Sequence, residues 1–263
     1  SASSSRRAAS CPAVARRSVS TVTIDVVVVV PTYNEAENIA LIADAVRGHQ
    51  YQLLIVDDGS PDGTGDIADE LAAADPGVSV VHRKVKEGLG PAYAAGFNTA
   101  LERGAEVICE MDADFSHDPA DLPRLVAAVE SGADLAIGSR YVPGGGVENW
   151  PWHRRLLSRG GNIYARTLLR TRTNDMTAGF RAFRAEALHN LDYAACEASG
   201  YGFQVEMAWK AAAAGLRVEE VPIFFRDRAR GTSKMGARIA IEAMLLVTKW
   251  GIASLFQRGR GGR

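Results

Sequence analysis

Two aspartates one residue apart, Asp112 and Asp114 in ICEMDADFSHD, follow a run of mostly apolar residues and are trailed by His117 and Asp118. Like charges repel, so crowding them where a strand leaves its sheet needs a reason. Three chemistries fit: a solvated loop, a general acid/base pair, or ligands for a hard metal ion. In extended backbone, side chains repeat with period two, so Asp112 and Asp114 are expected to face the same way. Two carboxylates placed like this suit an octahedral, oxygen-seeking ion such as Mg2+ or Mn2+, which keeps several waters and takes substrate phosphates as further ligands. A catalytic carboxylate dyad is the rival, but no second acidic cluster is placed to make a glycosidase pair. His117 by itself reads as a loop or supporting residue rather than a ligand.

Three other clusters carry the same double meaning. In VDDGSPDGTG, Asp57 and Asp58 end an apolar run, and the Gly, Pro and Ser that follow build a turn into a helix. Turn and N-cap chemistry accounts for them; so does a strand-terminal carboxylate that accepts hydrogen bonds from a base or ribose. In PTYNE, Asn34 suits a helix N-cap and Glu35 a helix N-terminus, while Tyr33 offers a flat ring for a base and Glu35 an acceptor for sugar hydroxyls. The loop DRARGTSK brings Arg228, Arg230 and Lys234 together with Gly231 and Ser233, which allow close approach to a phosphate. An acidic metal loop and a basic loop together describe a phosphate-handling site. KEGLGPAYAAG lacks G-x-G-x-x-G, which leaves a dinucleotide reading weak and turn glycines the better account.

The elements that must position these clusters alternate. IDVVVVVP is continuously β-branched, the mark of a strand buried on both faces. NEAENIALIADAVRG has apolar residues at Ile39, Ile42, Ala43 and Val46, which is helical spacing. Strands and helices then alternate through YQLLIVDDGS, GDIADELAAAD, VSVVHR, GPAYAAGFNTALERG, AEVICEMDAD, ADLPRLVAAVESG and ADLAIGSR. This order predicts a mostly parallel central sheet with helices on both faces. In such a sheet ligands sit beyond the carboxyl ends of the strands, where 32–35, 57–64, 112–118 and 138–141 all fall. Farther on, WHRRLLSRGGNIYARTLLR reads as a basic amphipathic helix, YGFQVEMAWKAAAAG as a helix ended by Gly215, and LRVEEVPIFFRDR as one strand.

Bulk properties narrow the partners. With 263 residues, 47% hydrophobic, the chain has enough for one sizeable core. A net charge of −1 gives no global field that would recruit nucleic acid. Three scattered cysteines, none in CxxC spacing, point away from disulfides and zinc and toward a reducing, cytosolic setting. No apolar run reaches the ~20 residues that span a bilayer. The Ser/Arg-rich segment 1–22 is expected to be a disordered tail or interdomain linker, followed by a catalytic domain over 23–257 and a basic tail over 258–263.

PTYNE, VDDGSPDGT, MDADFSHDP, GSRY, TAGFRAFR, YGFQVEM and DRARGTSKM, in this order, resemble family 2 glycosyltransferases, most nearly the polyprenol (dolichol) monophosphate mannose synthases. The resemblance runs from about Ile24 to Lys249. It implies an α/β GT-A (nucleotide-diphospho-sugar transferase) fold, a GDP-mannose donor and a polyprenyl phosphate acceptor in the membrane. It also implies a divalent ion, Mg2+ or Mn2+, and a peripheral place on the cytoplasmic face, with a membrane protein or membrane domain as partner. Carried over by position, Pro31, Tyr33, Glu35, Val56 and Asp58 would contact the guanosine part of the donor. Asp112, Ala113 and Asp114 would form the DxD element, with Asp114 the principal metal ligand and Asp112 assisting. Arg140, Arg228 and Lys234 would hold phosphates. Some relatives place a Gln ligand where this chain has Ser116. A UDP-glucose-dependent polyprenyl-phosphate glucosyltransferase and a metal-dependent nucleotidyltransferase are the alternatives.

Overall fold

The structure, a computed structural model, describes residues 24–198, 200–226 and 237–260. The N-terminal tail, Cys11, and both Arg228 and Lys234 lie outside the described residues. The sheet is built from β1 (Val26–Thr32), β2 (Gln52–Asp57), β3 (Val78–His82), β4 (Val107–Glu110), β5 (Leu135–Ser139), β7 (Arg181–Arg184) and β8 (Val218–Pro222). Their order is β3-β2-β1-β4-β7-β5-β8. β7 alone runs antiparallel, against β4 and β5, and the other pairings are parallel. A two-stranded sheet joins β6 (Gly146–Val147) to β9 (Phe224–Phe225).

The valine run of β1 is explained by two cores. Val27 and Val29 enter one, while Val26, Val28 and Val30 enter the other. β2 divides in the same way, with Leu54 and Val56 on one face and Leu53 and Ile55 on the opposite face. Each side chain so buried favours the fold by roughly 1.5–3 kcal/mol over exposure. α1 (Ile39–Gly48), α2 (Thr64–Ala74) and α4 (Leu122–Glu130) cover one face, and α3 (Leu89–Glu102), α5 (Trp152–Leu169), α7 (Tyr201–Ala213) and α8 (Ala237–Arg260) the other. A short helix, α6 (Ala185–His189), follows β7. The helical spacing read in α1 holds: Ile39, Ile42, Ala43 and Val46 are its buried residues. Gly96 lets α3 lie directly on the sheet, because a Cβ there would come within 2.3 Å of Val29 Cγ1.

Two local expectations fail. Asn34 is not the α1 cap; it takes left-handed backbone (φ 62) in the loop, and the helix begins after Asn38. LRVEEVPIFFRDR is not one strand. Pro222 brings no N–H to the ladder, and after it Ile223 O accepts Gly146 N–H at 2.9 Å, passing the chain from β8 to β9. The sequence assigned no strand to Arg181–Arg184, the antiparallel β7.

Candidate active site

β1, β2, β4, β5 and β8 all deliver their carboxyl ends to one edge of the sheet. β1 is followed outward by β2 and β3, whereas β4 begins the other half, so the order reverses between β1 and β4. A crevice opens at such a reversal. The loop after Thr32 flanks it on one side and the loop after Glu110 on the other.

On the β1/β2 side, two loops are stitched together by short polar side chains. Asp57 accepts from Thr32 Oγ1 at 3.2 Å and from Ser60 N–H at 3.1 Å. Ser60 Oγ accepts Asn34 N–H at 3.1 Å, and Thr64 Oγ1 accepts Glu35 N–H at 2.9 Å. Asp62 then receives Ala36 N–H at 3.1 Å and the Thr64 hydroxyl at 2.6 Å. The paired aspartates of VDDGS thus divide their work. Asp57 builds the turn, while Asp58, 6% exposed, makes an ion pair with Arg83. Burial holds the Asp58 carboxyl above its ordinary value, and Arg83 pulls it partly back. Arg83 was missed in the sequence, although it leaves β3 at the same edge, with its N–H on Asp57 O at 2.8 Å. Tyr33 presents its ring here, with the Lys86 ammonium 3.6 Å from the centroid. Pro31 and Val56 are register partners on β1 and β2, just below.

The carboxylate pair follows β4, on the other side of the reversal. The extended backbone expected to turn Asp112 and Asp114 the same way is absent: β4 ends at Glu110, and Ala113–Asp114 lie in a turn. The turn is held by side chains. Asp114 Oδ1 accepts Ser116 N–H at 3.0 Å, and Phe115 takes left-handed backbone (φ 58). His117 Nδ1 accepts Asp112 N–H at 3.3 Å. That ring is 2% exposed, stacked on Phe180 at 5.0 Å and edged by Phe225 at 5.5 Å. His117 therefore shapes the loop, as its sequence context suggested. Ala113 is buried and Ser116 is 1% exposed, its hydroxyl without a hydrogen-bond partner among the described residues. Two carboxylates and a buried hydroxyl are hard oxygen donors and fit Mg2+ or Mn2+. No group of three or more His, Cys, Asp or Glu placed to hold a metal occurs among the described residues.

Charge also gathers at the β5 and β8 ends. Arg140 is buried and grips Asp175 with Nε at 2.7 Å and Nη2 at 2.6 Å, while its backbone N–H adds a third bond at 3.0 Å. Burial would raise the Asp175 carboxyl, but the Arg140 guanidinium outweighs it and leaves the group below the ordinary value. Phosphate would meet this guanidinium already committed on two nitrogens. Arg226 joins the 112–118 loop to β9: its N–H donates to Ser116 O at 3.2 Å, and its guanidinium lies 3.6 Å from Asp118 and 3.3 Å from Glu148. The chain then enters 227–236, which carries Arg228 and Lys234 and lies outside the described residues. Arg226 was a second functional candidate missed in the sequence; its signal was its place just ahead of that basic loop.

Residues 27–192 match the family described as glycosyl transferase family 2. Over 237 residues, 89% of each chain, the protein is 54% identical to the polyprenol monophosphomannose synthase of Mycolicibacterium smegmatis. It is 50% identical over 234 residues to the undecaprenyl-phosphate mannosyltransferase of Micrococcus luteus, covering 88% of this chain and 96% of that one. Among solved structures, glucosyl-3-phosphoglycerate synthase from Mycobacterium tuberculosis, in complex with Mg2+ and uridine-diphosphate, is similar with a TM-score of 0.60 at 20% identity. That likeness covers 89% of this chain and 79% of that one.

Proposed function

The chain belongs to glycosyl transferase family 2, and from that membership we propose that it transfers mannose from GDP-mannose to a polyprenyl phosphate, inverting the anomeric carbon. Its sheet and helices form the GT-A fold of nucleotide-sugar transferases. The observation that carries the reading is the 54% identity, along nearly the whole of both chains, to a polyprenol monophosphomannose synthase. Family membership also removes the nucleotidyltransferase alternative.

In this reading the guanosine part of the donor lies against Pro31, Tyr33, Glu35, Val56 and Asp58. Asp112 and Asp114 hold Mg2+ or Mn2+, which when bound offsets the charge of the diphosphate and stabilises it as a leaving group. The acceptor is a phosphate monoester, anionic near neutral pH because its second pKa is about 6. It is already a nucleophile and asks for little or no general base. The chemical difficulty is to bring two anions together, which preorganised positive charge relieves. Arg140, Arg228 and Lys234 supply that charge, Arg140 with Asp175 fixing its guanidinium plane.

The acceptor is a lipid, and no helix among the described residues is long and apolar enough to cross a membrane. α5 and α8 pack closely, since a Cβ on Gly251 would lie 2.6 Å from Leu168 Cγ, and Tyr164 Oη is 2.7 Å from Thr248 Oγ1. Outward they leave Trp152, Leu156, Leu157, Met244 and Leu245 exposed, with Arg155 and Arg159 beside them. An apolar face rimmed by arginine suits an anionic bilayer surface, so this pair rests the enzyme on the cytoplasmic leaflet. The segment 1–22 serves as a linker to a membrane domain or partner.

The test offers GDP-mannose and UDP-glucose separately to the full chain with a short polyprenyl phosphate, with and without Mg2+ or Mn2+. Metal-dependent transfer from GDP-mannose is expected. Transfer from UDP-glucose alone would overturn the donor assignment.

A further inference from the structure

Beneath the carboxylate pair lies a buried cluster that the reaction as described does not use. Glu110 is the last residue of β4, two before Asp112, and its register partner across the antiparallel pair is Arg181, the first residue of β7. Both are 0% exposed. Arg181 binds three backbone carbonyls from two separate parts of the chain. Nε donates to Ala178 O at 2.9 Å, and Nη2 donates to Met176 O at 3.1 Å and to Gln204 O on α7 at 2.8 Å. One guanidinium therefore ties together β7, the segment before it and α7, directly opposite the end of β4.

The same place holds buried polar atoms with few or no partners among the described residues. They are Arg181 Nη1 and the Tyr93 hydroxyl, together with the Glu110 carboxylate and the Gln204 amide, which have at most each other. Buried polar groups are almost always paired, and four side chains left this way in one spot call for an explanation. Tyr93 also lies within electrostatic range of Asp112, Glu110, Arg181 and Asp114, so the cluster and the carboxylate pair share one field. Arg181 feels Glu110 on one side and Asp175 on the other, and Asp175 in turn grips Arg140. Negative and positive charges thus alternate from β4 to the end of β5.

We propose that Arg181 is a positioning residue for the divalent-ion site: by bonding the carbonyls of Met176, Ala178 and Gln204 it locks the start of β7 and α7 beside the end of β4, and so sets where Asp112 and Asp114 sit. This rests on the metal reading given above. A second role for Arg181 would be purely electrostatic, and the two roles differ in sign. A cation beneath the site opposes metal binding, so removing it would strengthen binding if only the field mattered. If position matters, removal weakens binding, and so does lysine, which keeps the charge but loses the planar fork that spans three carbonyls.

The experiment titrates Mn2+ into the full chain with saturating GDP and reads free Mn2+ by electron paramagnetic resonance. Wild type, Arg181→Lys, Arg181→Met and the nearly isosteric Glu110→Gln are compared, with thermal melts and GDP binding in EDTA alongside. Arg181→Lys and Glu110→Gln are expected to weaken Mn2+ binding about tenfold while GDP binding in EDTA stays unchanged. Should Arg181→Met fail to fold, Arg181→Lys carries the same expectation, while Glu110→Gln, which removes an anion and weakens Mn2+ binding under either role, serves as the control for the field. Mn2+ affinity within about twofold of wild type in the folded variants, or tighter binding in Arg181→Met, would overturn the proposal. An equal loss of GDP binding in EDTA would overturn it too, by showing a general collapse of the site. A wild-type chain that takes up no Mn2+ with GDP would instead sink the metal reading itself.

Discussion

His117 Nδ1 receives the backbone N–H of Asp112 at 3.3 Å while its ring lies on Phe180, so an aromatic stack holds the backbone that carries the first carboxylate of the loop. His117→Phe keeps the stack and removes the acceptor. It is expected to cost about 1–3 kcal/mol of stability and to lower kcat roughly tenfold, the equivalent of about 1.4 kcal/mol in the transition state. Thermal melts and steady-state rates check both, and an unchanged kcat would count against the orienting role.

Asp114 is the more buried of the two loop carboxylates, and one of its oxygens is already engaged by Ser116 N–H. Its substitution by alanine removes the proposed metal ligand and the turn that presents it. Since a bound ion contributes several kcal/mol to transition-state charge, Asp114→Ala is expected to lose on the order of 10³-fold or more in turnover. Excess Mg2+ should not restore it. Near-normal rates with excess Mg2+ would falsify the assignment.

Asp58 supplies the pH dependence. Its folded pKa is raised by burial, with Arg83 opposing. Its contribution to stability is therefore present in full below the unfolded pKa and lost as pH rises through the folded one. The base contact proposed for Asp58 asks for the other form, because only the ionised carboxylate accepts two hydrogen bonds from a base edge. GDP affinity should fall as pH drops through that raised pKa. Arg83→Ala removes the opposing cation and should move the acid limb to higher pH in a GDP-binding titration. Superimposable pH profiles for the two proteins would rule the role out.

Asp175 behaves in the opposite sense. Arg140 holds its carboxyl below the ordinary value despite burial, so its contribution is present above the unfolded pKa and lost as pH falls through the folded one. Asp175→Asn leaves Arg140 buried without its counter-charge, which costs about 3–5 kcal/mol at neutral pH. Urea unfolding at pH 7 and near pH 3 should show that penalty shrinking as the wild type loses the same pair. A penalty equal at both pH values would contradict this account.

The exposed face of α5 predicts a membrane phenotype without a chemical one. Replacing Trp152, Leu156 and Leu157 together by serine should abolish co-sedimentation with vesicles containing anionic lipid. It should raise KM for a long-chain acceptor in those vesicles and leave Mn2+·GDP binding intact. Sedimentation like that of wild type would remove α5 from the interface. The same run on a chain lacking residues 1–22 tests the linker reading.

Much of this protein was legible along the chain because burial leaves a periodic trace. The valines of β1 forecast a strand covered on both sides, and the Ile39–Val46 spacing forecast the buried face of α1. Polar loops recurring after successive strands forecast a common edge, since parallel strands must end on the same side. Charge pairing leaves no such trace. Arg83 meets Asp58 only because β3 lies beside β2, and Arg181 meets Glu110 only because β7 enters antiparallel between β4 and β5. The turn at Ala113–Asp114 likewise depends on His117, which is held by Phe180 and Phe225 from elsewhere in the chain. Local periodicity determined which residues are buried and where the loops emerge. Only the tertiary register decided which charges face one another, because strand order and direction, not sequence distance, set the separation between them.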